Sequence, residues 1–143
     1  MKSTLTKIAF LFLVVVSFTA CDKYEEGANY SLLTAKMRLV NHWKMTKVTA
    51  TNGNTTYDAT GNFPSTILKV KKDDTYEVIY TFGNLVTTDN GTWAFNSDKT
   101  TVTTTEDNGD IGIYTIIKLK NKELKLEYID GSTTYVTTYS QDD

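Results

Sequence analysis

The sequence predicts an all-β domain, an antiparallel up-and-down barrel of eight or nine strands preceded by a short N-terminal helix. Three observations carry this. Threonine is abundant, and nine tyrosines and six phenylalanines accompany a single proline in 143 residues, a composition suited to pleated strands. Side chains alternate with a period of two, most clearly at Tyr76, Val78, Tyr80 and Phe82, which places one set on one face of a strand. Turn residues punctuate the runs at short intervals, as in Asn52-Gly53, Lys72-Asp73-Asp74, Gly83-Asn84 and Asp130-Gly131. Connections this short make consecutive strands antiparallel neighbours, because a parallel crossover needs about a dozen residues. A long meander has edges to protect, and closing into a barrel removes them. A two-sheet sandwich is the competing arrangement; the meander rhythm and the lead-in helix favour the barrel.

The chain opens with a different kind of segment. Met1 to Lys7 carries two lysines and no acid, and Ile8 to Val16 is an uninterrupted apolar run. A basic stretch, a short apolar stretch and then small residues make a secretory signal. The run is well short of the roughly 20 residues that span a bilayer. Phe18-Thr19-Ala20-Cys21 follows, and Cys21 is the sole cysteine. These four residues resemble the lipobox of bacterial lipoproteins. That resemblance implies a diacylglycerol on the Cys21 sulfur, removal of residues 1–20 and acylation of the new amino terminus. Residues 21–30 then become a lipidated cysteine and polar tether, and 31–143 the folded domain. Two or three acyl chains suffice for stable attachment, at about 0.8 kcal/mol per buried methylene. Lys23-Tyr24-Glu25-Glu26 resembles the acidic export signals of Bacteroidota surface lipoproteins; a solvated spacer is the plainer reading. The expected location is the bacterial outer membrane, on its periplasmic or cell-surface face, with the membrane as partner through the lipid.

The signal takes two of the 15 basic residues and none of the 17 acidic ones, leaving 13 against 17, a formal charge near −4. No basic concentration suggests nucleic acid. The 123 residues beyond the signal suit one domain with one core.

Ser31 is the expected cap of a helix over Leu32 to Asn41, with Leu33, Met37 and Val40 on its packed face. His42 to Thr51 reads as the first strand, and Asn52-Gly53 as a tight hairpin. Ser65 to Lys71 and Thr75 to Phe82 are the next strands. Leu85 to Thr88 reads as a brief strand, Asp89-Asn90-Gly91 as a turn, and Thr92 to Asn96 as a strand with Trp93 and Phe95 on one face. Thr100 to Glu106 follows. Ile111 to Leu119 is expected to place Ile111, Ile113, Ile117 and Leu119 on one face, with Tyr114 and Ile116 on the other. Leu124, Leu126 and Tyr128 alternate in the next strand, and Thr133 to Ser140 is the last, with Tyr135 and Tyr139 in phase.

A helix, then a tryptophan opening the first strand, then an antiparallel meander resembles the lipocalin-like domains of small Bacteroidota lipoproteins. Asn41-His42-Trp43 keeps the spacing of that group's Gly-x-Trp, and Gly91-Thr92-Trp93 repeats it in mid-chain. Tyr114 to Leu119 and Glu123 to Leu126 match its tyrosine–isoleucine and paired-leucine hairpin. The resemblance covers residues 32–140 and implies a calycin-like barrel, which at eight strands holds packed side chains or one small ligand.

Chemistry of other kinds is thinly represented. His42 is the sole histidine, whereas a zinc site takes several His or Cys ligands, and no Gly-x-Ser-x-Gly elbow occurs. Neither a metal site nor a cofactor is expected. Carboxylates fall in Asp73-Asp74, Asp89 and Glu106 to Asp110, where turn chemistry accounts for acids. Asp107 to Asp110 offers oxygen ligands without the spacing of a calcium loop. The aromatics remain. Trp43, Tyr76, Tyr80, Trp93, Tyr114 and Tyr128 are the candidate ligand-binding residues, an apolar lining with phenolic handles; packing as barrel core is their alternative use. The expected protein is a non-enzymatic, lipid-anchored barrel for a small hydrophobic or glycan-like ligand. The alternative is an adaptor or structural subunit of an envelope complex. No motif names a protein partner.

Overall fold

The structure, a computed structural model, describes Tyr24 and residues 32–143. The signal, Cys21 and Ser31 lie outside the described residues.

Among the described residues, one short α-helix, α1 (Ala35–Leu39), precedes nine strands: β1 (Asn41–Asn52), β2 (Thr55–Asp58), β3 (Ser65–Val70), β4 (Thr75–Phe82), β5 (Leu85–Phe95), β6 (Thr101–Glu106), β7 (Ile111–Leu119), β8 (Glu123–Asp130) and β9 (Thr133–Gln141). Every pairing is antiparallel. The meander runs β1-β3-β4-β5-β6-β7-β8-β9, and β9 pairs back onto β1. Eight strands therefore form a closed barrel, and β2 is a ninth, outside the ring, attached to the far half of β1 at Thr49 to Asn52. The Asn52-Gly53 signal is realised as a two-residue hairpin with Gly53 at φ 57°.

The helix is shorter than the sequence predicts, and its packed face differs. Thr34, not Ser31, is the cap: its hydroxyl accepts from the Met37 amide at 3.2 Å. Ala35 and Leu39 are buried while Met37 is 58% exposed. Five residues make little more than one turn, so only the pair at i and i+4 is buried. Arg38 Nη1 donates to the Leu119 carbonyl at 2.7 Å, and the Trp43 indole Nε1–H donates to the Leu39 carbonyl at 2.8 Å. Tyr24, read from sequence as part of the tether, is buried under the Arg38 guanidinium, 5.8 Å from its ring.

These contacts plug one end of the barrel. Trp43, Val70, Trp93, Val102, Leu119 and Leu124 fill the space beneath α1; burying side chains of this size contributes about 1.5–3 kcal/mol each. The turns after β3, β5 and β7 lie at this helix end, and those after β4, β6 and β8 at the opposite, far end.

Two β-bulges reverse the alternation. One falls between Met45 and Lys47 on β1, so Trp43 and Val48 both face inward. The other falls between Ile116 and Lys118 on β7. Here the predicted phase is corrected: Tyr114, Ile116 and Leu119 share the interior, while Ile111 and Ile113 point outward at 68% and 61% exposure. A bulge adds one residue on one strand and flips every side chain beyond it. The predicted turn at Asp89-Asn90-Gly91 is also corrected. Those residues continue β5 without a break, pairing with β4 on one side and, at Gly91, with β6 on the other.

Candidate functional site

The far half of the barrel is not filled. A cavity of about 240 Å³ lies between the plug and the far end. Its walls follow from strand alternation. Tyr76, Val78 and Tyr80 enter from β4, Asp89 and Trp93 from β5, Thr104 and Glu106 from β6, Leu126 and Tyr128 from β8, and Tyr135, Thr137 and Tyr139 from β9. Trp93 and Val70 belong to the core cluster and form part of its wall, and Phe63 and Tyr128, both 41% exposed, mark the mouth.

Two glycines sit where neighbouring groups come close. Gly91 faces Tyr76 across the β4–β5 pair and Glu106 across the β5–β6 pair. A Cβ at Gly91 would collide with the Thr105 carbonyl and come within 2.9 Å of the Glu106 Cα. Gly112 has the Thr104 hydroxyl and the Tyr114 ring each 2.8 Å from where its Cβ would sit. The Tyr114 and Tyr128 rings lie 5.5 Å apart, and Phe63 meets Tyr135 edge-on at 5.8 Å.

The lining is apolar with a polar side. Thr104 stands beside the Tyr76 and Tyr114 phenols, and Thr137 beside Tyr139. Burial pushes all of these phenols upward. Tyr80 rises to about 12, by burial first and then by the negative charges of Asp89 and Glu106. Burial raises Tyr76 as well, followed by the charge of Glu106. The Glu106 carboxylate accepts from the Asn108 amide at 3.0 Å. Among the described residues, no lysine, arginine or histidine is part of the wall.

Five of the six residues singled out from sequence, Tyr76, Tyr80, Trp93, Tyr114 and Tyr128, meet in this cavity. Trp43 does not: it is fully buried in the plug and its indole is committed to α1. Sequence reading missed both Asp89 and Glu106: it placed Asp89 in a turn and, although Glu106 ended a predicted strand, accounted for its carboxylate by the turn chemistry of Glu106 to Asp110. The signal was present in their phase, since Asp89 keeps step with Gly91, Trp93 and Phe95, and Glu106 with Val102 and Thr104. The neighbouring turn, Asp107 to Asp110, uses its polar groups internally: Asn108 donates to Glu106 and to Asp110, and accepts from the Asp110 amide.

A family model described as a lipocalin-like domain matches residues 39–126. No curated protein matches the chain. The matched span begins at the end of α1 and stops inside β8, and β9 closes the ring beyond it. Match, closed eight-stranded barrel and interior cavity agree, and the chain belongs to the family of lipocalin-like domains.

Proposed function

We propose that this protein is a lipid-anchored lipoprotein of the bacterial outer membrane whose barrel binds one small hydrophobic or glycan-like ligand without transforming it. The observation that carries the binding reading is the aromatic-lined cavity of about 240 Å³ at the unplugged end of the barrel. A concave apolar lining with a few polar groups is the general form of a small-molecule site. The cavity's polar groups are phenols, threonines and two carboxylates, with no nucleophile–base pair among them.

Anchoring is supported by the Phe18-Thr19-Ala20-Cys21 sequence. Tyr24 is docked against Arg38 at the helix end, and three residues of chain reach at most about 11 Å. An acylated Cys21 therefore holds the helix end next to the bilayer and turns the mouth away from it, toward solvent. Palmitate labelling in the native host should mark the protein and be lost in Cys21→Ala; an unlabelled wild type would remove the anchor. Native mass spectrometry of the protein from its own host tests binding. A discrete mass beyond the lipidated chain, lost on denaturation, is the expected result, and a clean ligand-free spectrum at native expression counts against it.

The adaptor reading rests on a separate observation. β2 lies outside the ring, its four residues are all exposed, and its outer edge is unpaired among the described strands. Such an edge can accept a strand from a partner. Crosslinking in intact cells from a residue placed at Tyr57 would capture one stable partner if this edge is used.

A further inference from the structure

We propose that the cavity selects ligands bearing a cationic group, an ammonium on a small apolar or aromatic body, and holds that group between Asp89 and Glu106. This rests on the binding reading above and names the ligand class of the same cavity.

The placement comes from strand register. Asp89 and Gly91 are consecutive inward positions on β5, and Gly91 is paired with Glu106 on β6. The two carboxylates are thus diagonal neighbours on one wall, a relation that sets Cα atoms about 7–8 Å apart. Gly91 puts no side chain between them, and the β6 backbone at Thr105 and Glu106 lies directly against it. Among the described residues, the wall holds no basic side chain. Among the described residues, Asn108 donates to Glu106 Oε2, and no hydrogen bond or ion pair reaches Glu106 Oε1 or the Asp89 carboxylate. Asp89 is exposed and Glu106 half-buried; two like charges this close repel each other, and a cation between them relieves the repulsion.

The surroundings favour the same occupant. Tyr76, Tyr80 and Tyr114 stand in the same wall, and phenol faces attract an ammonium at close range. The negative charges of Glu106 and Asp89 reach the Tyr76 and Tyr80 hydroxyls, which places carboxylates and rings together. Deeper in, Leu68, Val70, Val78 and Trp93 offer an apolar floor for the rest of the molecule. An anionic ligand, such as a free fatty acid, would meet two carboxylates and no counter-charge.

The test uses the lipidated protein in nanodiscs, with empty nanodiscs subtracted, and isothermal titration at neutral pH. Three probes share one apolar body and differ in charge: 2-phenylethylamine, 2-phenylethanol and 3-phenylpropionate. The amine is expected to bind at least about tenfold tighter than the carboxylate, a modest fraction of what two nearby charges provide in a partly buried site. In Asp89→Asn/Glu106→Gln the ratio of amine to alcohol affinity should fall toward one, with circular dichroism reporting the fold. Equal or tighter binding of the carboxylate overturns the inference while leaving the binding reading intact, as does an amine preference that survives in the double variant. Binding of none of the three overturns the inference together with the binding reading.

Discussion

Replacing Gly91 by alanine adds one methyl group at the point where β5 and β6 come closest. The Cβ would run into the Thr105 carbonyl and lie 2.9 Å from both the Thr105 carbonyl carbon and the Glu106 Cα. All three atoms are backbone, so no side chain can swing aside; the two strands must part. Parting strains the Asp107 amide bond to the Asn90 carbonyl, 3.0 Å long, and the pairing of Gly91 with Glu106. Overpacking costs about 1–3 kcal/mol, and a weakened interstrand hydrogen bond adds about 1 kcal/mol. A total of about 2–4 kcal/mol corresponds to a loss of roughly 6–16 °C in Tm for a domain of this size. Gly61→Ala is the matched control, because nothing lies within 4 Å of its Cβ and its φ is not in the left-handed region. That variant should stay within about 1 kcal/mol of wild type, through its effect on the unfolded chain. Thermal melts followed by circular dichroism compare the two. If Gly91→Ala melts within 3 °C of Gly61→Ala, on the order of 1 kcal/mol, the close approach does not limit this site and the reasoning fails.

Three further predictions follow from single contacts and titrations. Trp43→Phe removes the 2.8 Å bond to the buried Leu39 carbonyl and should cost about 1–3 kcal/mol, seen as a lower urea midpoint at unchanged m. Trp93→Phe, whose indole bond to Lys71 is 3.3 Å and part-buried, should cost less, and the opposite order would contradict the plug. At acid pH, Asp58 and Asp73 are held below their usual range by the Thr60 and Thr75 hydroxyls and amides, and Glu77 by hydrogen bonding from Lys69. Groups depressed in the folded state stabilise it above their unfolded values, so stability should be level near neutrality and fall as pH drops below about 4; Asp73→Asn should make that fall shallower in urea titrations. At alkaline pH, burial raises Tyr76, Tyr80, Tyr114 and Tyr139, Tyr80 to about 12. An acid raised on folding stabilises the protein below its unfolded value, so stability should decline from about pH 10 upward. Absorbance at 295 nm should then show the buried phenolates appearing together with unfolding rather than before it.

The sequence alone determined the all-β class, most of the strands in their order and the barrel's antiparallel course, because turn chemistry and short connections are local. It also brought forward five of the aromatics that meet in the cavity, since a period-two run of Tyr76, Val78 and Tyr80 declares a shared face whatever that face meets. Local signals fell short where a distant strand decides the outcome. Asp89-Asn90-Gly91 has turn composition, yet β4 and β6 pair with it and hold it extended; Gly91 is there for the approach of Thr105, a residue 14 positions away. Ile111 and Ile113 look like core by hydrophobicity, yet they face outward while Thr104 and Glu106 face inward, because the lumen near the mouth is open and does not demand apolar side chains. The bulges at Met45/Lys47 and Ile116/Lys118 reverse alternation without leaving a mark in the sequence. Only the tertiary structure decided that Trp43 closes the barrel while Trp93 lines it. Closure of β9 onto β1 and the seating of α1 on β7 set how deep the plug reaches, and both depend on residues far apart in the chain, Trp43 with Gln141 and Arg38 with Leu119.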